Sequence, residues 1–200
     1  MLTSPLLKGF AHGFGTRHSG LTQAAMASVQ QIHSDITLIA DAIGCIGEGD
    51  ALLSNELGIT VSIRTADCLP ILLADPVSGA VAAVHAGWRG TAAGIVGITV
   101  RRMVAELHAR PENILAAIGP GIGKCCYEVG LDVARKLGES QAGKVDLAEN
   151  NRRQLLAAGV GQIDVVSPCT FCEAATFYSY RREGEKAGRM ISYIETQRAR

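Results

Sequence analysis

The sequence predicts an α+β fold built on mixed β-sheets with few helices. Seven short apolar runs suited to strands are spread along the chain, at 36–40, 59–63, 69–74, 80–84, 114–118, 163–166 and 190–194. Several are continuous rather than alternating, the pattern of strands covered on both faces. Only two or three segments carry helical spacing, too few for a regular alternation of strands and helices.

Taken in order, the first decisive element is the pair of runs at 69–74 and 80–84. Pro76, Ser78 and Gly79 make a turn between them, so the two should form an antiparallel hairpin. Beyond it, Val96, Val100, Met103, Val104 and Leu107 fall on one face of a helix between Thr91 and His108. Gly94 and Gly97 weaken that helix unless they allow close packing. A further helix is expected around Glu128 to Leu137. Another should start at Asp146, three residues before Glu149 in a capping-box-like arrangement, carry Leu155 and Leu156, and stop at Gly159.

No repeat, low-complexity segment or linker divides the 200 residues, so one unit spanning 1–200 is expected. The chain is 48% apolar and only 4% aromatic, so its core must be made of Ala, Val, Ile and Leu. Nineteen basic residues balance nineteen acidic ones, and the basic residues are scattered. That argues against a nucleic-acid or membrane partner recruited by bulk charge. The N-terminal stretch lacks the basic and apolar regions of an export signal, and no stretch approaches a membrane span. The expectation is a cytoplasmic protein whose six cysteines stay reduced.

Three polar side chains interrupt apolar, strand-like surroundings: His33 in VQQIHSDITLIA, Cys68 in SIRTADCLPILLADP and His85 in AAVHAGWRG. The predicted hairpin puts Cys68 and His85 at the same end of a sheet. Two imidazoles and a thiolate suit a borderline-soft divalent metal, and three protein ligands leave a tetrahedral zinc with one open position, the mark of a catalytic site. Copper is the alternative, disfavoured because no methionine follows the His85 loop as an axial ligand. In the same loop Gly87 should permit a tight turn, Trp88 should wall it, and Arg89 reads as structural.

Other features carry less. Cys169-Thr-Phe-Cys172 has metal or redox spacing but no second such pair in sequence, since Cys125 and Cys126 are adjacent. GPGIGKCCYEVG matches no phosphate-binding fingerprint. Arg17, Arg64, Arg89, Arg181 and Arg189 are more often solvated than functional, although an arginine beside a metal is well suited to bidentate phosphate binding.

The motifs HGFGTR, QIHSD, GDALLS, RTADCLPILLADP, AAVHAGWRG, AAIGPGIGKCCYEVG and FYSYRREGEKAGRMIS, in this order over nearly the whole chain, closely resemble the YfiH-like laccase-domain family. Members are variously called polyphenol oxidases, purine nucleoside phosphorylases and peptidoglycan editing factors. The resemblance implies a layered α/β/β/α sandwich related to the catalytic domain of the cytotoxic necrotizing toxins. It implies His33, Cys68 and His85 as zinc ligands and catalytic residues, with Arg17 of the TR element as a phosphate contact. The implied reaction is glycosyl transfer: phosphorolysis of adenosine, inosine, guanosine or methylthioadenosine, with adenosine deaminase as a side activity. The implied partners are therefore a purine nucleoside and phosphate, in a monomer or a homodimer. Three alternatives stay open: a Cys68-dependent amidase hydrolysing a peptidoglycan precursor, a copper laccase, and a non-catalytic nucleoside-binding protein. Relative to the family, the segment between Gly20 and Gln30 is short and lacks a helix that helps to cover the site.

Overall fold

The computed structural model describes residues 1–166 and 168–197. Two mixed sheets stack face to face. The six-stranded sheet runs in the order β12 (Gln162–Val165), β9 (Leu115–Ile118), β7 (Leu69–Ala74), β8 (Val81–Ala86), β5 (Ala51–Ser54), β3 (Thr37–Ile39). The five-stranded sheet runs β1 (His12–Phe14), β13 (Met190–Glu195), β6 (Thr60–Thr65), β2 (Ala27–Gln30), β4 (Gly44–Glu48). Parallel pairs occur only at β12 with β9, β3 with β5, and β2 with both β4 and β6, among the described residues. β10 (Glu128–Val129) and β11 (Gly143–Lys144) form a small separate ribbon.

The hairpin forms as expected: β7 and β8 are antiparallel, with Leu69 opposite Ala86 and Pro70 opposite His85. All six residues of each strand are buried, because both faces are covered. Leu69, Ile71 and Leu73 pack with Val96, Val100 and Met103 of the helical layer. Leu72 and Ala74 instead meet Val61, Ile63 and Ile194 of the other sheet. The continuous apolar run is thus two alternating patterns superimposed, one for each neighbour layer.

The single helix expected from Thr91 to His108 is two helices, α1 (Trp88–Ala93) and α2 (Ile95–Leu107). Gly94 breaks it by adopting φ +81°, a left-handed conformation open to glycine at little cost. Gly97 is not a close-packing device: a methyl group there would approach nothing nearer than the tip of Arg101, at 3.5 Å. α4 (Leu147–Ala157) begins as its sequence predicts, with the Asp146 carboxylate accepting from the Glu149 N–H at 3.0 Å. Near 128–137 only the short α3 (Leu131–Lys136) forms, because Glu128 and Val129 are spent on the ribbon.

The layering differs from the expected α/β/β/α order. α2 and α4 cover the outer face of the six-stranded sheet, but no helix packs extensively on the five-stranded sheet among the described residues. In the loop before β2, Gln23 donates a hydrogen bond to the hydroxyl of buried Ser62 on β6 at 2.9 Å. No described helix is long and apolar enough to cross a membrane.

Candidate active site

His33, Cys68 and His85 converge. Their ligand-capable atoms all lie within 4.8 Å of one another, and the two imidazole rings meet edge to face with centroids 5.0 Å apart. His85 shares the inter-sheet face of β8 with Val81 and Ala83, and Cys68 immediately precedes β7. His33 departs from its strand-like expectation: it lies on the loop between β2 and β3, at φ +61°. Holding a non-glycine residue there requires support from outside the loop.

Asp50 supplies that support. Its carboxylate is fully buried and accepts from the backbone N–H of His33 at 3.0 Å and of Ser34 at 2.5 Å, and from the Ser34 hydroxyl at 2.8 Å. The same carboxylate accepts from His85 Nδ1 at 2.7 Å, and the Asp50 carbonyl receives the His85 backbone N–H at 2.7 Å. One side chain therefore fixes the His33 loop and also commits His85 to the Nδ1–H tautomer, leaving Nε2 for a ligand. Burial alone would raise the Asp50 pKa, but the hydrogen bonds from His85 and Ser34 prevail and bring it down to about 2.

Cys68 and His85 polarise each other. Burial resists ionisation of the thiol, yet the positive charge of His85 and hydrogen bonds from both histidines draw Cys68 down to about 6. Burial likewise disfavours imidazolium at His85, but the Cys68 thiolate and Asp50 raise it to about 9. Without a metal the two form a thiolate–imidazolium pair between about pH 6 and pH 9. Asp67 anchors the thiol's backbone from the other side: at φ +83°, its carboxylate accepts from Thr170 Oγ1 at 2.6 Å, Ser179 Oγ at 3.0 Å and the Arg181 N–H at 2.7 Å.

Gly87 serves a different purpose from the expected tight turn. Its φ of −77° suits any residue, but a Cβ there would come within 2.8 Å of the Cys68 sulfur. The glycine makes room for the thiol.

These residues open into a cavity of about 1080 Å³. Trp88 and Tyr127 line it with apolar Ile122, Val129, Val133 and Leu147, and four arginines, Arg64, Arg89, Arg181 and Arg189, reach its wall. Burial, with the Cys68 charge adding to it, pushes the Tyr127 phenol up to about 12, so it is a hydrogen-bond donor throughout the ordinary pH range. Arg89 stacks over Trp88, its guanidinium 4.3 Å from the ring centroid, which holds a charge beside an aromatic wall. Arg17 is not among the residues lining this cavity. Its guanidinium donates to the Ala174 carbonyl at 2.6 Å and to Glu183 at 3.3 Å, and lies 4.6 Å from the Tyr178 ring. Arg89 lines the cavity, whereas Arg17, the phosphate contact expected from the TR element, lies apart from it.

Residues 15–197 match the family model described as multi-copper polyphenol oxidoreductase laccase. The chain belongs to the YfiH-like laccase-domain family. Within this family a Deinococcus radiodurans protein named purine nucleoside phosphorylase is 43% identical over 185 residues, covering 88% of this chain and 72% of its own length. The Geobacillus stearothermophilus protein named purine nucleoside phosphorylase YlmD is 42% identical over 161 residues, covering 72% of this chain and 59% of its own. The crystal structure of YlmD from Geobacillus stearothermophilus superposes with a TM-score of 0.89 at 30% identity, over 98% of this chain and 94% of that one. The Bacillus licheniformis YfiH structure gives 0.80 at 31% identity, over 89% of this chain and 76% of that one.

Two groups lie outside the sequence expectations. Asp50 and Asp67 stand in GDALLS and RTADC, where an acid beside a candidate ligand or at the head of a buried strand was the available signal. Cys125, Cys126, Cys169 and Cys172 also come together, all four sulfurs within 4.8 Å of one another, although no local spacing joins the two pairs.

Proposed function

We propose that this protein, as one YfiH-like domain, is a zinc-dependent purine nucleoside phosphorylase. It would convert adenosine, inosine, guanosine or methylthioadenosine, with phosphate, to a free base and a sugar 1-phosphate. The observation that carries the reading is the convergence of His33, Cys68 and His85 on the floor of a cavity walled by aromatic rings and arginines. The names of the relatives support it. Two imidazoles and one thiolate fit zinc, with His33, Cys68 and His85 as the holders; among the described residues no methionine lines the cavity, which weighs against copper. When bound, zinc supplies Lewis acidity at its open position.

The rest falls to the chain's own side chains. Trp88 and Tyr127, with Val129 and Val133, offer a purine an apolar and stacking surface. Arg89, Arg64, Arg181 and Arg189 can grip phosphate bidentately and aim an oxygen at the anomeric carbon. As the C1′–O bond to phosphate forms, the C1′–N9 bond breaks, and its electron pair leaves on the base, which takes up a proton. The protonated Tyr127 phenol is placed to donate a hydrogen bond within the cavity. The same donors suit water attack at adenosine C6, a deaminase side reaction. Purified protein incubated with inosine and phosphate should release hypoxanthine only when phosphate is present. No phosphate-dependent base release from any of the four nucleosides would overturn the reading.

A second reading has its own support. Cys68, His85 and Asp50 are arranged as nucleophile, base and orienting carboxylate, with the thiol already ionised at neutral pH when metal is absent. That suits an amidase acting on a peptidoglycan precursor. Activity that rises on zinc removal and disappears in Cys68→Ser would favour this reading over phosphorolysis.

A further inference from the structure

We propose that Cys125, Cys126, Cys169 and Cys172 form a second metal site, a closed tetrathiolate centre for Zn²⁺ that holds one wall of the cavity in place. The four sulfurs lie within 4.8 Å of one another, with Cys125 to Cys172 at 3.8 Å and Cys126 to Cys172 at 3.3 Å. A zinc ion bonded to four sulfurs at about 2.3 Å has tetrahedral edges of about 3.8 Å, so the cluster needs only small adjustments to close on the ion. All four cysteines are free, and none lines the cavity.

The backbone around the sulfurs is shaped for them. The Gly123 N–H donates to the Cys169 sulfur at 3.2 Å, the amide-to-sulfur bond that stabilises a thiolate ligand. A Cβ at Gly123 would come within 3.2 Å of Cys169 Cβ and 3.3 Å of the Cys125 sulfur, so a side chain there would crowd the cluster. The Gly123 carbonyl receives the N–H groups of Cys126 and Tyr127, and Gly121 pairs with Cys169 in an isolated bridge. Two loops 44 residues apart in sequence, counting from Cys125 to Cys169, are brought into register around one point.

Four ligands fill the tetrahedron, so this centre is structural, unlike the three-ligand group. Its position gives it leverage on the cavity. Tyr127, which follows the first cysteine pair, lines the cavity, and Glu128 accepts from Arg181 through its carbonyl. On the other loop the Thr170 and Phe171 carbonyls accept from Arg182 at 2.9 and 2.7 Å. Binding of Zn²⁺ displaces the thiol protons to solvent and ties these two loops together.

Metal analysis of the full chain tests this. Wild type purified under reducing conditions should carry two zinc equivalents. A His33→Ala, Cys68→Ala, His85→Ala triple variant should keep one, and a Cys126→Ser, Cys172→Ser double variant should lose one while the three-ligand group keeps its own. Cobalt loaded into the triple variant should show the intense visible bands of a tetrahedral tetrathiolate, a readout that needs no cysteine change in the cluster. A triple variant folded by circular dichroism yet free of metal would overturn the proposal. So would a cobalt spectrum of octahedral or oxygen-rich type, or a Cys126–Cys172 disulfide that persists under thiol reductant. Loss of metal at the three-ligand group alone would count against the proposed phosphorylase chemistry and leave this centre standing.

Discussion

Cys68 and His85 sit at one end of the β7–β8 hairpin in the core, His33 sits on the loop between β2 and β3, and a buried carboxylate holds both histidines. Cys125, Cys126, Cys169 and Cys172 sit on two loops, two of them exposed, with backbone amides as their nearest supports. The first group offers three ligand-capable residues facing a cavity; the second offers four and faces none of it. The difference shows where rigidity comes from. The three-residue group owes its geometry to the protein itself, through the hydrogen bonds of Asp50. A site that saturates its ion can be assembled from loops, because the ion itself closes them.

The comparison can be broken most sharply at Cys68. Cys68→Ala should remove one metal equivalent and lower phosphorolysis on the order of a thousandfold, checked by steady-state kinetics with inosine. Asp50→Asn keeps every ligand and should still lower metal affinity by about 10–100-fold, measured by competition with a chelator. An effect of similar size at the cysteine cluster would erase the distinction between the two groups. Arg89→Ala should raise the KM for phosphate by about 10–100-fold, the loss of a charged hydrogen bond.

The thiol's titration sharpens the contrast further. In metal-free protein, alkylation of Cys68 should rise with pH around a midpoint of about 6, against an ordinary thiol at 9.0. The sign follows from linkage: a lowered thiol pKa contributes stability above the unfolded value and loses it as pH falls through about 6. The raised His85 contributes below its ordinary 6.5 and loses it as pH rises through about 9. In Asp50→Asn the alkylation midpoint should move upward, because the imidazolium loses its partner. Zinc should protect the thiol altogether. The smallest effect is expected at Arg17: Arg17→Ala should change phosphorolysis less than about twofold, since its guanidinium is committed outside the cavity.

Much of this is legible in the amino-acid sequence. The β7–β8 hairpin followed from an apolar run, a turn and a second run, and it delivered Cys68 and His85 to one place. The Asp146 cap was readable because both partners lie within one helical turn. The role of Asp50 was not, because its partners are 17 and 35 residues away and a carboxylate in GDALLS looks like any loop acid. The cysteine cluster was hidden for the same reason: neither pair has metal-binding company within its own segment. The break at Gly94 escaped because helical periodicity continues across it, and the short strands β1, β2 and β4 because glycine and polar residues dilute their apolar signal. That Arg89 lines the cavity and Arg17 does not depends on position in the fold, as one guanidinium is like another in sequence.

Asp50 also sets the size of the smallest transferable version of this site. Because one carboxylate holds the His33 loop by its amides and His85 by its ring, a graft of the three ligands alone would leave two imidazoles free to turn. A working transplant into another scaffold must carry the β5 edge that presents Asp50, the β7–β8 hairpin, and a glycine at position 87 to leave space for sulfur. The portable unit is a corner of the sandwich and not a set of three side chains.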